Sequence, residues 1–127
     1  MKHLKRLSTL CICAVLLLCG CTKFGTAVST ITSTEYENKQ LKVSAEIIDN
    51  GGCDYYMEQG FCYSLFCPPD LNDIYTTQVK VCNNSKVDTF SATFTLPLSD
   101  TAYYVCAYVK NTAGLSLSNV VKVPTGN

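Results

Sequence analysis

Five cysteines, the carboxylates Asp54, Glu58, Asp70 and Asp73, and the adjacent Tyr55 and Tyr56 are residues between positions 50 and 110 whose types and spacing could do chemistry. Cys53, Cys62, Cys67, Cys82 and Cys106 are thiols that could bridge, bind metal or stay free. Zinc is disfavoured, because none of these cysteines forms a Cys-x-x-Cys pair and the sole histidine of the chain is His3. Asp54 and Glu58 are a carboxylate pair of the kind that hydrolyses glycosides, but a domain this small offers no deep cleft for such work. Asp70, Asn72 and Asp73 present oxygens suited to calcium, yet they lack the ligand count and the glycine of an EF-hand loop. A solvated polar loop is the simpler expectation, and no metal or other cofactor is expected. Tyr55 and Tyr56 offer flat rings beside Asp54 and Glu58, which suits contact with a sugar or a protein surface rather than catalysis.

The elements that hold these residues are read from alternation. Leu41, Val43, Ala45 and Ile47 recur at every second position around Lys42, Ser44 and Glu46, which is the pattern of a half-buried strand. Asp49-Asn50-Gly51-Gly52 ends it with residues that accept positive φ. Further strands are expected over Gly60–Phe66, Tyr75–Val81, Phe90–Phe94, Tyr103–Val109 and Leu115–Val123. They are separated by Cys67-Pro68-Pro69-Asp70, Asn83-Asn84-Ser85, Pro97 to Asp100 and Asn111 to Gly114. The segment from Thr22 to about Ser33 reads as a tether merging into a first strand. No window carries a helical period. About seven short strands therefore predict an all-β sandwich.

The N-terminal segment is different. Lys2, Lys5 and Arg6 precede an apolar run, Leu10 to Leu18, too short to span a bilayer. Leu18-Cys19-Gly20-Cys21 follows, and this resembles the lipobox of bacterial lipoproteins. The resemblance implies a signal peptide over residues 1–20, removal before Cys21, and a lipid on that cysteine. A cut before Cys19 would follow the bulky Leu18 and does not fit. The processed chain would then carry net negative charge and no histidine. That excludes Ser-His-Asp and Cys-His catalysis, and it argues against nucleic acid as a partner. Thr22 after the cysteine, where an aspartate would mark inner-membrane retention, favours the outer membrane, with the side left open.

Asp49-Asn50-Gly51-Gly52, Gly60-Phe61-Cys62-Tyr63-Ser64 and Tyr103-Tyr104-Val105-Cys106-Ala107-Tyr108-Val109-Lys110-Asn111-Thr112-Ala113-Gly114 occur in that order. Together they resemble the fibronectin type III-like repeat, an immunoglobulin-like β-sandwich, of surface lipoproteins and secreted proteins of Gram-negative bacteria. The resemblance implies a tether over residues 21–26, a sandwich over residues 27–124 and a tail over 125–127. It also implies a corner tyrosine at Tyr103, with Val105, Ala107 and Val109 inward and Tyr104, Cys106 and Tyr108 outward. Cys106 departs from the arginine usual there. The cysteines at 53, 67 and 82 have no counterpart.

Four expectations follow for sites. Tyr55, Tyr56, Asn111 and Thr112, in the loops after the second and before the last strand, are candidate ligand contacts. Cys67 and Cys82 bracket one long connection and are the candidate disulfide. Cys62 and Cys106 meet only if their strands agree in face and register, and the pairing of Cys53, Cys62 and Cys106 stays open. Asp100-Thr101-Ala102 resembles an O-glycosylation motif of the same bacteria, with Thr101 the acceptor. The functional expectation is a non-enzymatic, lipid-anchored envelope protein that binds glycan or protein or joins a surface assembly. The alternative is a purely structural lipoprotein facing the periplasm, with no soluble ligand.

Overall fold

The alternation around Leu41 decides the first sheet. In the computed structural model, which describes residues 25–65 and 67–126, Leu41, Val43, Ala45 and Ile47 are all buried and Lys42 and Glu46 are exposed. They lie on β2 (Gln40–Asp49), between β1 (Val28–Glu37) and β5 (Thr89–Thr95). Asn38 and Lys39 join β1 to β2 with φ of 52° and 64°. That left-handed pair is the two-residue hairpin whose twist matches the flanking strands.

The second sheet is centred on β3 (Tyr56–Leu65) and β6 (Ala102–Asn111), which pair antiparallel along their lengths. β4 (Thr77–Ser85) flanks β3, while β7 (Gly114–Leu117) and β8 (Val121–Pro124) both flank β6. The single last strand expected over Leu115–Val123 is thus broken in two. Three steps on β6, from Tyr108 to Val105, face four on its partner, from Leu117 to Val121, which is the count of a bulge. Asn119 in the break turns its Oδ1 to the Ile31 amide at 3.0 Å, tying the break to β1.

The two antiparallel sheets pack face to face as an immunoglobulin-like β-sandwich, with no helix among the described residues. Leu41, Val43 and Ala45 from one side meet Phe61, Val105, Ala107 and Val109 from the other. Phe61 and Phe90 lie 5.2 Å apart across the interface, and the Tyr63 and Phe94 rings stack at 4.9 Å. Tyr103 is buried, and its hydroxyl accepts the Leu98 amide at 3.2 Å, the corner contact expected of it.

Two expectations are corrected. Cys106 and Tyr108 do lie outside the inter-sheet cluster, but both are fully buried rather than solvated. Gly60 makes this packing feasible: a Cβ there would run into the Tyr108 ring and the Val79 carbonyl. The Tyr108 hydroxyl then donates to Glu58 at 2.6 Å. The other correction concerns β4, which begins at Thr77 rather than Tyr75 and continues through Asn83, Asn84 and Ser85. Asx-type contacts fold residues 70–76 into a loop, and Tyr75 leaves the sheet.

Among the described residues no helix is long and apolar enough to cross a membrane. Residues 1–20, the Gly20–Cys21 junction and the first part of the tether lie outside the described residues.

Candidate functional site

Antiparallel pairing of β3 with β6 sorts the loops into two ends. At one lie the β2–β3 loop, the β6–β7 turn and Gly25; at the other lie the β3–β4 loop and the β5–β6 connection. The sequence directs attention to the first end, and the geometry there is closed.

Asn111, 2% exposed, is its centre. Its Nδ2 donates to the carbonyls of Gly25 at 2.9 Å and Asn50 at 3.3 Å. Its Oδ1 accepts the amides of Ala113 at 2.9 Å and Gly114 at 3.2 Å. Gly25 also donates its amide to the Gly51 carbonyl at 2.9 Å. Gly51 has φ of 71°, and a Cβ on it would collide with the Gly25 carbonyl, so only glycine fits this approach. The Cys53 sulfur lies 3.2 Å from the Thr112 hydroxyl and joins loop to turn.

Tyr56 departs furthest from expectation. It is not a loop residue but opens β3, 3% exposed, with its hydroxyl donating to Asp88 at 2.5 Å. Burial, then that hydrogen bond to a carboxylate, pushes its pKa well above the ordinary tyrosine value. Of the four candidates, only Tyr55 and Thr112 reach the surface. Asn111 and Thr112 do meet the β2–β3 loop, but Asn111 meets it through internal bonds. The carboxylate pair is also divided: Asp54 is exposed in the loop, whereas Glu58 accepts Tyr108 and Gln78 and lies 3.4 Å from Lys80. The Tyr108 hydrogen bond, helped by Lys80, holds the Glu58 carboxyl below its usual range.

The opposite end is open. A cavity of about 410 Å³ lies there, walled by Tyr63, Leu65 and Tyr103 from the sheet and by Tyr75 from the β3–β4 loop. Asp73 and Thr77 stand on its lining as polar groups. The floor is stiff, because Tyr63 stacks on Phe94 and meets Tyr103 edge-on at 5.9 Å. The loop above it is held by its own contacts. Asp70 Oδ1 accepts the Asn72 amide, Asp73 Oδ1 accepts the Tyr75 amide, and the Asp70 amide donates to Thr76 Oγ1, each at 3.0 Å. These aspartates, weighed as calcium ligands, thus turn oxygens onto their own backbone, and no metal-binding cluster occurs among the described residues. Ile74 and Tyr75 are left 88% and 78% exposed. A rigid aromatic floor with a few polar groups is the usual composition of a small-ligand site.

The Cys67–Cys82 bridge is overturned by β4. Cys82 stands opposite Gln59, while Cys67 follows Leu65 at the far end of β3. The stretch from Gln59 to Leu65 separates them by roughly 20 Å at strand rise, far beyond disulfide reach. Both are free thiols. Cys62 and Cys106, whose pairing the sequence leaves open, stand directly opposite each other. Thr101 sits half-buried in the β5–β6 connection, with its amide donating to Thr125 Oγ1 and its carbonyl accepting the Thr125 amide.

Fold and cavity together define an immunoglobulin-like β-sandwich with an aromatic-walled hollow at one end. No family model matches the chain, and no curated protein matches its sequence.

Proposed function

We propose that this chain is a non-enzymatic, lipid-anchored cell-envelope protein of the fibronectin III-like type that binds glycan in the cavity beneath Tyr75. The observation that carries the reading is the pairing of an open tyrosine-walled cavity with an exposed aromatic at its mouth. The C–H face of a sugar ring suits the Tyr75 ring, and its hydroxyls suit Asp73 and Thr77. Asp73 uses Oδ1 for the Tyr75 amide and retains acceptor capacity for a ligand. The absence of histidine after residue 3 supports a binding rather than a catalytic role.

Lipidation at Cys21 would also orient the domain. Gly25 is bonded into the closed end, and four residues of chain reach at most about 14 Å. The closed end then faces the bilayer. The cavity points away from it, roughly 30 Å distant along β3. This polarity favours capture of ligand from the aqueous side.

Glycan-array binding by the full chain, run beside Tyr75→Ala, tests the proposal. Capture that Tyr75→Ala abolishes supports it. No capture of any arrayed glycan overturns it and leaves a protein ligand or the structural lipoprotein without soluble ligand. Protease digestion on intact and lysed cells then fixes which side of the outer membrane the cavity faces.

A further inference from the structure

The β3–β6 seam places two sulfurs together in a way the ligand reading does not need. Cys62 and Cys106 are register partners on adjacent antiparallel strands, both fully buried, with Sγ atoms 3.0 Å apart. Directly opposed antiparallel residues have Cα atoms about 4.5–5.5 Å apart, inside the span a disulfide tolerates. We propose that Cys62 and Cys106 are a modification site, oxidised to a cross-strand disulfide that staples the two central strands of the larger sheet.

The other three cysteines among the described residues do not compete. Cys53 is held against Thr112 at the closed end, Cys67 is exposed beyond β3, and Cys82 faces Gln59 on β4. The bond would close a loop spanning 44 positions of sequence, removing many conformations from the unfolded chain. It also lies one residue from the cavity, since Tyr63 follows Cys62 and pairs with Val105.

The chemistry is thiol–disulfide exchange with a disulfide donor, either an oxidoreductase of an oxidising compartment or a small-molecule disulfide such as oxidised glutathione. One cysteine first takes up the donor as a mixed disulfide and releases one donor thiol. The second then attacks that sulfur as thiolate and releases the other. Two S–H bonds break and one S–S bond forms. Two protons leave, and two electrons reduce the donor disulfide to two thiols. The two sulfurs share a hydrogen bond in which either can donate, so whichever cysteine loses its proton is stabilised as thiolate by the other's S–H and can make the attack. Because both sulfurs are buried once the sheet is complete, exchange belongs to the stage when β3 and β6 have paired but their outer face is open.

The test uses the full chain, reduced, unfolded and refolded with reduced and oxidised glutathione, then alkylated in denaturant without reduction and mapped by mass. A linked peptide pair containing Cys62 and Cys106 is the expected result. Alkylation of both as free thiols, or a link from either to a different cysteine, overturns the proposal. Thermal unfolding of Cys62→Ala, Cys106→Ala and the double variant supplies an independent readout. With the bond, each single variant loses about 10–25 °C and the double loses no more. Small losses in the single variants that simply add would instead indicate two separate thiols and overturn the staple.

Discussion

The two ends of this sandwich use similar residues to opposite effect. At the β2–β3 and β6–β7 end, Asn111, Cys53 and Tyr56 turn their polar atoms onto other parts of the chain. At the β3–β4 end, Asp70 and Asp73 also bond backbone, but only within their own loop, and Ile74 and Tyr75 are left pointing at solvent. Loop aromatics alone therefore do not mark a site. A tyrosine whose hydroxyl and ring are both engaged at home has nothing to offer a ligand, and one held out by a self-satisfied loop has both.

The sharpest way to break this contrast is at Asn111. Asn111→Ala removes four hydrogen bonds and leaves part-buried backbone groups unpaired, so we expect a loss of about 2–4 kcal/mol by denaturant unfolding. Glycan capture at the far end should persist wherever the variant remains folded. Tyr75→Ala should do the reverse. Capture falls at least about tenfold, near 1.4 kcal/mol, while stability moves by about 0.5 kcal/mol or less. Parallel losses of capture and stability in either variant would erase the division between the ends.

Tyr56 gives a pH signature for the closed end. Its pKa, and that of Tyr108, is raised in the folded protein. The stabilisation from each is therefore complete below the unfolded value of about 10 and declines as pH rises beyond it. Tyr56→Phe should cost about 1 kcal/mol near neutrality and flatten the alkaline decline seen in pH-dependent unfolding. An unchanged slope above pH 10 would place the tyrosine outside the core. The smallest effect is expected from Tyr55→Ala, within about 0.5 kcal/mol in stability and with capture unchanged. Lost capture there would move the ligand back to the end where sequence first placed it.

How much could be read beforehand follows the range of each interaction. The core face of β2 was legible in Leu41, Val43, Ala45 and Ile47, since a period of two is a local property of the chain. The corner role of Tyr103 was legible only through the resemblance of the Tyr103 to Gly114 run to the repeat, and the bond from the Leu98 amide to its hydroxyl fits that role. Tyr75 was not, because the local pattern makes it the first residue of a strand, whereas the contacts that pull it out run from Asp70 and Asp73. A turn-rich segment, Pro68 to Asp73, followed by an apolar pair was the available signal.

Sequence by itself thus determined that this chain forms short strands, where most of them turn, and which side chains face inward, because alternation and turn chemistry are settled among near neighbours. Tertiary structure alone decided that Cys62 meets Cys106 while Cys82 is carried far from Cys67, since strand register depends on a partner distant in the chain. It also decided that Asn111 and Tyr56 are enclosed and that a cavity opens beneath Tyr75. Burial of a polar group is fixed by what packs over it, and that comes from strands far away in sequence.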